Sequence, residues 1–157
     1  MEFENLYKMY SQKIFRVCLG YFNDVDKAKD VTQDVFINVF ENLKTLKHYE
    51  NVSGWIYRIA SNKCLRQIEN EKRIQLVDHY DVFKIEDIEN STKEERFIKL
   101  HQCISSLPEI DRIIIGLYLE DLSQKDIAEV VGLSHANIRV RVHRIKEVLT
   151  EKMQHNE

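Results

Sequence analysis

Residues 122–146, LSQKDIAEVVGLSHANIRVRVHRIK, constrain the fold of this chain more than any other stretch. Ser123 stands where a helix N-cap would, with Asp126 three residues on, a start signal that satisfies the first free backbone donors. Ile127, Val130 and Val131 then supply a buried stripe, and Ala128 is small enough for two crossing helices to approach closely. Gly132 follows the last apolar pair, where a left-handed backbone ends a helix without steric cost. Ser134 is a second N-cap candidate, and Ile138, Val142, Ile145 and Leu149 recur at spacings that keep one helical face apolar.

At about 100° per residue, the opposite face of that second helix carries Ala136, Asn137, Val140, His143 and Arg144, flanked by Arg139 and Arg141. No acidic residue lies between Ser134 and Lys146. Two short helices, a glycine turn and a basic outer face make a helix-turn-helix, whose second helix sets its first residues against base edges in the major groove. Asn137 suits adenine, Val140 a thymine methyl, and the arginines either guanine or phosphate. Ser134, Ala136, Asn137, Arg139, Val140, Arg141, His143 and Arg144 are therefore the candidate duplex-binding residues.

The rest of the chain reads as helical. Proline occurs once and glycine four times in 157 residues. Helical spacing recurs from about Glu2 to Tyr21, through Leu6, Met9, Tyr10, Ile14, Val17 and Cys18. After a break at Asn23-Asp24, a second helix is expected from about Val25 to Leu46, with Ala28, Val31, Val35, Val39 and Leu43 inside and Phe36 and Phe40 widening the stripe. Its other face carries Asp30, Gln33, Asp34 and Asn38. A third helix is expected from near Ser53, including Trp55, Ile56, Ile59, Ala60 and Cys64. Three such helices make a small antiparallel bundle.

From Ile74 to Asn90 the pattern loses its period and turns acidic, as a linker does. Helical signals resume near Thr92. Pro108 suits a first helical turn, Ser106 and Glu109 match a capping box, and an apolar helix is expected over Ile110 to Leu119. The expected architecture is all-α: an N-terminal helical bundle over 1–73, an acidic linker over 74–92, and a C-terminal helix-turn-helix domain over 93–157.

Composition limits the function classes. The formal charge is −3, so local basic patches must overcome the repulsion between the chain and phosphate. Weak intrinsic DNA affinity and a larger partner are expected. Cys18, Cys64 and Cys103 lie far apart and lack zinc-ligand spacing, so they read as core residues of a reducing compartment, with a redox switch as the alternative. No metal, cofactor or catalytic group is expected: the six histidines show no His-x-x-x-His pattern, and no glycine-rich phosphate loop occurs. The first residues lack a signal peptide's basic start and apolar run, and no stretch reaches the roughly 18 apolar residues of a membrane span, so a cytoplasmic location is expected.

Two separated segments together resemble one family. LYKMYSQKIFRV, DVTQDVFINVF and GWIYRIASNKCLR in the first half, with LPEIDRIIIGLYLEDLSQKDIAEVVGLSHANIRVRVHRIKEVL in the second, are similar to the extracytoplasmic-function (ECF) sigma factors of bacterial RNA polymerase. The resemblance implies that the first domain docks on the clamp helices of the polymerase β′ subunit through Asp30, Gln33, Asp34 and Asn38. It implies that Tyr49, Asn51, Arg58, Asn62 and Arg66 bind the opened non-template strand of the −10 promoter element, where unstacked bases expose their faces and edges. The second domain would dock on the β flap and read the −35 element. An anti-sigma factor that holds the protein inactive is implied as a further partner. Arg66 stands where many relatives are acidic, and Asn137-Ile138-Arg139-Val140-Arg141 replaces a common Thr-Val-Lys-Ser-Arg run, so the sequence read should differ. The alternatives are a stand-alone helix-turn-helix regulator, which would bind duplex without polymerase, and a polymerase-binding adaptor without promoter recognition.

Overall fold

The computed structural model describes residues 2–46, 51–74 and 92–155, and among them every regular element is helical. The elements are α1 (Phe3–Phe22), α2 (Val25–Asn42) with a 3-10 turn (Leu43–Thr45), α3 (Val52–Ile74), α4 (Thr92–Ser105), α5 (Glu109–Leu119), α6 (Gln124–Val131) and α7 (His135–His155). Tyr49 and residues 75–91 of the expected linker lie outside the described residues.

Local chemistry sets the boundaries. Asn23 takes a left-handed φ of 53° and its N–H donates to the Leu19 carbonyl, closing α1. Asp24 opens α2 by accepting from the Lys27 N–H at 3.0 Å. Asn51 opens α3: its Oδ1 accepts the Gly54 N–H at 3.0 Å, and its carbonyl accepts the Trp55 N–H. A Cβ on Gly54 would stand 2.6 Å from the Asn51 side chain, so glycine is what lets this cap close.

The expected capping box at Ser106 is not formed. Pro108 is the N-cap of α5 and makes no side-chain cap bond. The Ser106 hydroxyl instead donates to the Cys103 carbonyl and accepts from Lys152 Nζ, finishing α4 and tying it to α7.

α1 packs most extensively on α2, and α3 covers both. The second set of helices does not hang apart from the first. α5 and α4 pack on α1, and α6 packs on α3, so the buried residues of both sets form one apolar cluster. Ile14, Ile56, Ile104, Ile113, Ile114, Leu117, Ile127, Ile138 and Ile145 are among its fully buried side chains, each contributing about 1.5–3 kcal/mol of burial. Two residues of the expected stripes face outward instead: Met9 and Phe40 are 58% and 59% exposed. Phe40 keeps an edge-on contact with Phe3, centroids 5.2 Å apart, so it extends the aromatic group of Phe3, Tyr7 and Phe36 rather than the core. Trp55 is half-buried against the core.

Candidate nucleic-acid interface

The helix-turn-helix is built by the residues that announce it. Ser123 Oγ accepts the Asp126 N–H at 3.1 Å, and Ser134 Oγ accepts the Asn137 N–H at 3.1 Å. Gly132 lies between them at φ 77°, with its N–H on the Ala128 carbonyl. Ile138, Val142, Ile145 and Leu149 are buried, which fixes the rotation of α7. Ser134, Ala136, Asn137, Arg139, Val140, His143 and Arg144 consequently face solvent along one side, and Val140, 55% exposed, is an apolar group with nothing to cover it inside the fold.

Besides the Ser134 cap, the side chains of Asn137 and His143 on this face and of Arg141 at its flank have intramolecular partners. Arg141 is half-buried: its Nη1 donates to Asp111 Oδ1 of α5 at 2.9 Å and its Nε to Asn137 Oδ1 at 2.7 Å. Arg141 thus ties α7 to α5 and holds the Asn137 carboxamide by its oxygen. His143 Nε2 lies 2.9 Å from Glu147 Oε1 on the exposed surface, where such a pair contributes little. Lys146, just past this face, places Nζ 4.4 Å from the centre of the Tyr118 ring, a second tie between α7 and α5.

On α2, Asp30, Gln33 and Asp34 are exposed on one face, and Asn38 is half-buried at its side. The carbonyl and Oδ1 of Asn38 both accept from Asn42 Nδ2 at 2.9 Å. Ile37, 55% exposed, completes the same face, an apolar residue that the polar pattern did not flag. Acidic and amide groups around an exposed isoleucine suit a basic, partly apolar partner surface.

On α3, Arg58, Asn62 and Arg66 are exposed and follow one another at four-residue spacing, a polar stripe along the helix. Asn51 begins this stripe, but its side chain serves as the α3 cap. Arg58 is engaged across the fold, its Nη2 donating to the Glu129 carbonyl of α6 at 2.9 Å. The stripe is therefore partly covered by the first helix of the helix-turn-helix.

That contact belongs to a seam between α1–α3 and α4–α7 which sequence reading did not reveal. Arg16 of α1 forms two hydrogen bonds with Glu120 at the end of α5, Nε to Oε1 and Nη2 to Oε2, the second at 3.0 Å. The hydrogen bond to Glu120 raises the Arg16 pKa above its ordinary value. Tyr57 of α3 lies near the same carboxylate, and burial together with that negative charge pushes its hydroxyl up to about 12. Arg112 of α5 donates from Nη1 to the Tyr21 carbonyl at 2.8 Å and lays its guanidinium 4.7 Å from the centre of the Tyr21 ring. His101 of α4 lies tilted against the Phe97 ring, centroids 4.3 Å apart, and sits against Gly20, whose Cβ would lie 3.7 Å from the imidazole. Burial lowers the His101 pKa.

Among the described residues, no helix is long and apolar enough to cross a membrane.

Comparison with known proteins agrees with this all-helical fold. Residues 6–74 match the family model of sigma-70 region 2, and residues 97–149 match that of sigma-70 region 4. The chain is 25% identical to the ECF RNA polymerase sigma factor SigW of Bacillus subtilis, over 96% of this chain and 88% of that one. It is 29% identical to the sigma factor SigZ of the same organism, over 92% and 82%. It is 27% identical to the RNA polymerase sigma-H factor of Pseudomonas aeruginosa, over 97% and 86%. In fold it is similar to the sigma factor RpoE of Bartonella quintana, solved with the anti-sigma factor NepR: TM-score 0.80, 17% identity, 97% and 96% coverage. It is also similar to CnrH, solved with the cytosolic domain of CnrY: TM-score 0.74, 18% identity, 99% and 89% coverage.

Proposed function

The chain belongs to the sigma-70 family as an ECF RNA polymerase sigma factor that directs transcription initiation, and from that premise we propose how its parts divide the work. Residues 1–73 act as the polymerase-docking and strand-capturing domain, residues 74–92 as the linker, and residues 93–157 as the reader of the upstream duplex element. The protein performs no catalysis of its own. It works where bacterial RNA polymerase works, in the cytoplasm, by giving core polymerase a promoter-specific surface.

The observation that carries this reading is the outer face of α7. Asn137, Arg139, Val140, His143 and Arg144 are exposed together on a helix whose rotation is fixed by four buried residues. Side chains held this way match a major groove, with Asn137 directed at adenine, Val140 at a thymine methyl and the arginines at guanine or phosphate. Asp30, Gln33, Asp34 and Asn38 dock on the β′ clamp helices, with Ile37 at the centre of the face. Arg58, Asn62 and Arg66 line the path of the non-template strand. Asn51 supports that path by starting α3, and Arg141 supports the duplex reader by orienting Asn137. Tyr49 belongs to the same strand-capturing segment by sequence position. The β flap receives residues 93–157.

Strand capture needs Arg58 free, and its partner is the Glu129 carbonyl. The closed seam is therefore a resting state, and polymerase docking on both domains draws α6 away from α3. An anti-sigma factor is the natural partner of the closed form, since the similar RpoE was solved with the anti-sigma factor NepR.

The test is duplex binding with and without core polymerase, read by fluorescence anisotropy on promoter fragments. Sequence-specific retention is expected only with polymerase present, as the net charge of −3 implies. Specific retention by the protein alone would favour a stand-alone regulator.

A further inference from the structure

Cys18 of α1 and Cys64 of α3 are 46 residues apart in sequence, yet their sulfurs are 3.8 Å apart and both residues are fully buried. The pair lies beneath the seam. Val17, beside Cys18, packs under α5 at Gly116, where a Cβ would meet Val17 Cγ1 at 3.5 Å. One turn past Cys18, the Tyr21 carbonyl receives Arg112 of α5, and the charge of Arg112 also reaches Cys64. A surface cleft lined by Leu65, the residue after Cys64, and by Leu107, Pro108, Glu109, Ile110 and Arg112 runs along the α3–α5 junction.

We infer that Cys18 and Cys64 form a redox modification site, a dithiol that hydrogen peroxide converts to an α1–α3 disulfide when the seam parts. The inference does not depend on the sigma-factor reading. The chemistry balances in two steps. One thiolate attacks peroxide, breaking the O–O bond to give a sulfenic acid and hydroxide, which takes up the thiol's proton to become water. The second sulfur then displaces the sulfenic oxygen, which leaves as a second water with that thiol's proton. Two thiols lose two electrons in all, peroxide gains two, and the sulfurs close from 3.8 Å to the roughly 2.05 Å of a disulfide.

The seam sets the rate because only thiolate reacts. With the helices packed, the hydrogen bond that Cys64 donates to Cys18 and burial hold the Cys64 thiol well above its ordinary pKa, and no solvent reaches either sulfur. Lifting α5 from α1 and α3 admits water, lowers the cost of the thiolate and lets peroxide in. Cys103 is the internal contrast: it is buried in α4, and the sulfur near it is the thioether of Met153 at 4.0 Å, which cannot complete a disulfide.

The experiment treats the full chain with hydrogen peroxide, quenches with an alkylating agent and maps the products by non-reducing digestion and mass spectrometry. The expected product is a Cys18–Cys64 crosslinked peptide, two hydrogens lighter than the reduced pair, with Cys103 still alkylated. Arg16→Ala or Glu120→Ala, which loosen the seam without touching either thiol, should speed crosslinking about fivefold, with circular dichroism confirming the helices. Cys103→Ala should leave the crosslinking rate unchanged. Oxidation of Cys103 ahead of the pair, absence of the crosslink, or equal rates in wild type and seam variants would each overturn the inference.

Discussion

Arg16 and Glu120, 104 residues apart in sequence, are joined by two hydrogen bonds that hold α1 to the end of α5. Arg16 is 45% exposed and Glu120 only 9%, so solvent weakens the arginine's side of the pair while the carboxylate depends on it. An ion pair of this exposure contributes about 1 kcal/mol at most, which is about a fivefold change in an open–closed ratio. Arg16→Ala should therefore enlarge the radius of gyration measured by small-angle scattering, with helicity unchanged. An unchanged radius would mean that the other contacts of the seam hold it closed without this pair.

The outer face of α7 gives the second prediction. Arg139→Ala with Arg144→Ala should abolish use of the upstream promoter element and leave polymerase association intact. Each arginine that reads a base is expected to contribute about 1–3 kcal/mol of discrimination, and each that contacts phosphate about one unit of salt slope. Equal loss of polymerase binding in a co-elution assay would move the duplex-reading face elsewhere.

Asp34→Ala with Gln33→Ala should do the reverse. Both side chains are exposed, so the fold should be spared while affinity for core polymerase falls at least about tenfold, the effect of removing one well-placed charged interface contact of about 1.4 kcal/mol. Ile37→Ala should weaken docking in the same direction. Wild-type affinity in both variants would remove this face from the docking surface.

Gly132 isolates backbone conformation from packing. A Cβ there meets nothing within 4 Å, but its φ of 77° is strained for any L-residue with a side chain. Gly132→Ala should cost about 1 kcal/mol in chemical denaturation, with no loss from crowding. A neutral substitution would mean that the turn relaxes to another conformation.

His101 makes the seam sensitive to acid. Burial lowers its pKa in the folded chain, so between pH 6.5 and that lowered value the unfolded chain binds more protons than the folded one. Its contribution to stability is therefore full above about pH 6.5 and is lost as pH falls through the folded pKa. Denaturation midpoints measured from pH 7.5 to 5 should fall more steeply for the wild type than for His101→Gln. Parallel profiles would show that His101 carries no such burden.

Local chemistry made part of this molecule readable in its sequence. Ser123, Ser134 and Gly132 act through backbone groups three or four residues away, so their roles follow from order along the chain. The buried face of α7 follows equally well from its spacing. Periodicity locates an apolar stripe but not its width, which depends on what packs beside it, and Met9 and Phe40 consequently face solvent. Ser106 matched a capping pattern but closes α4, because Pro108 already begins α5. Asn51, expected among the strand-binding residues, has in addition a local role that its amide chemistry allows, its Oδ1 accepting the Gly54 N–H. The seam was illegible altogether. Arg16 with Glu120, Arg58 with Glu129, and Arg112 with Tyr21 each join distant parts of the chain, and no local pattern marks them as partners.

Mapping transcript starts most directly tests the central claim of promoter-directed initiation: purified protein and bacterial core RNA polymerase, on a library of promoter fragments, compared with core polymerase alone. Starts that require the protein and share two spaced upstream elements are expected, with the farther element lost in the Arg139→Ala, Arg144→Ala variant. Starts that are the same with and without the protein, despite its association with polymerase, would contradict that claim.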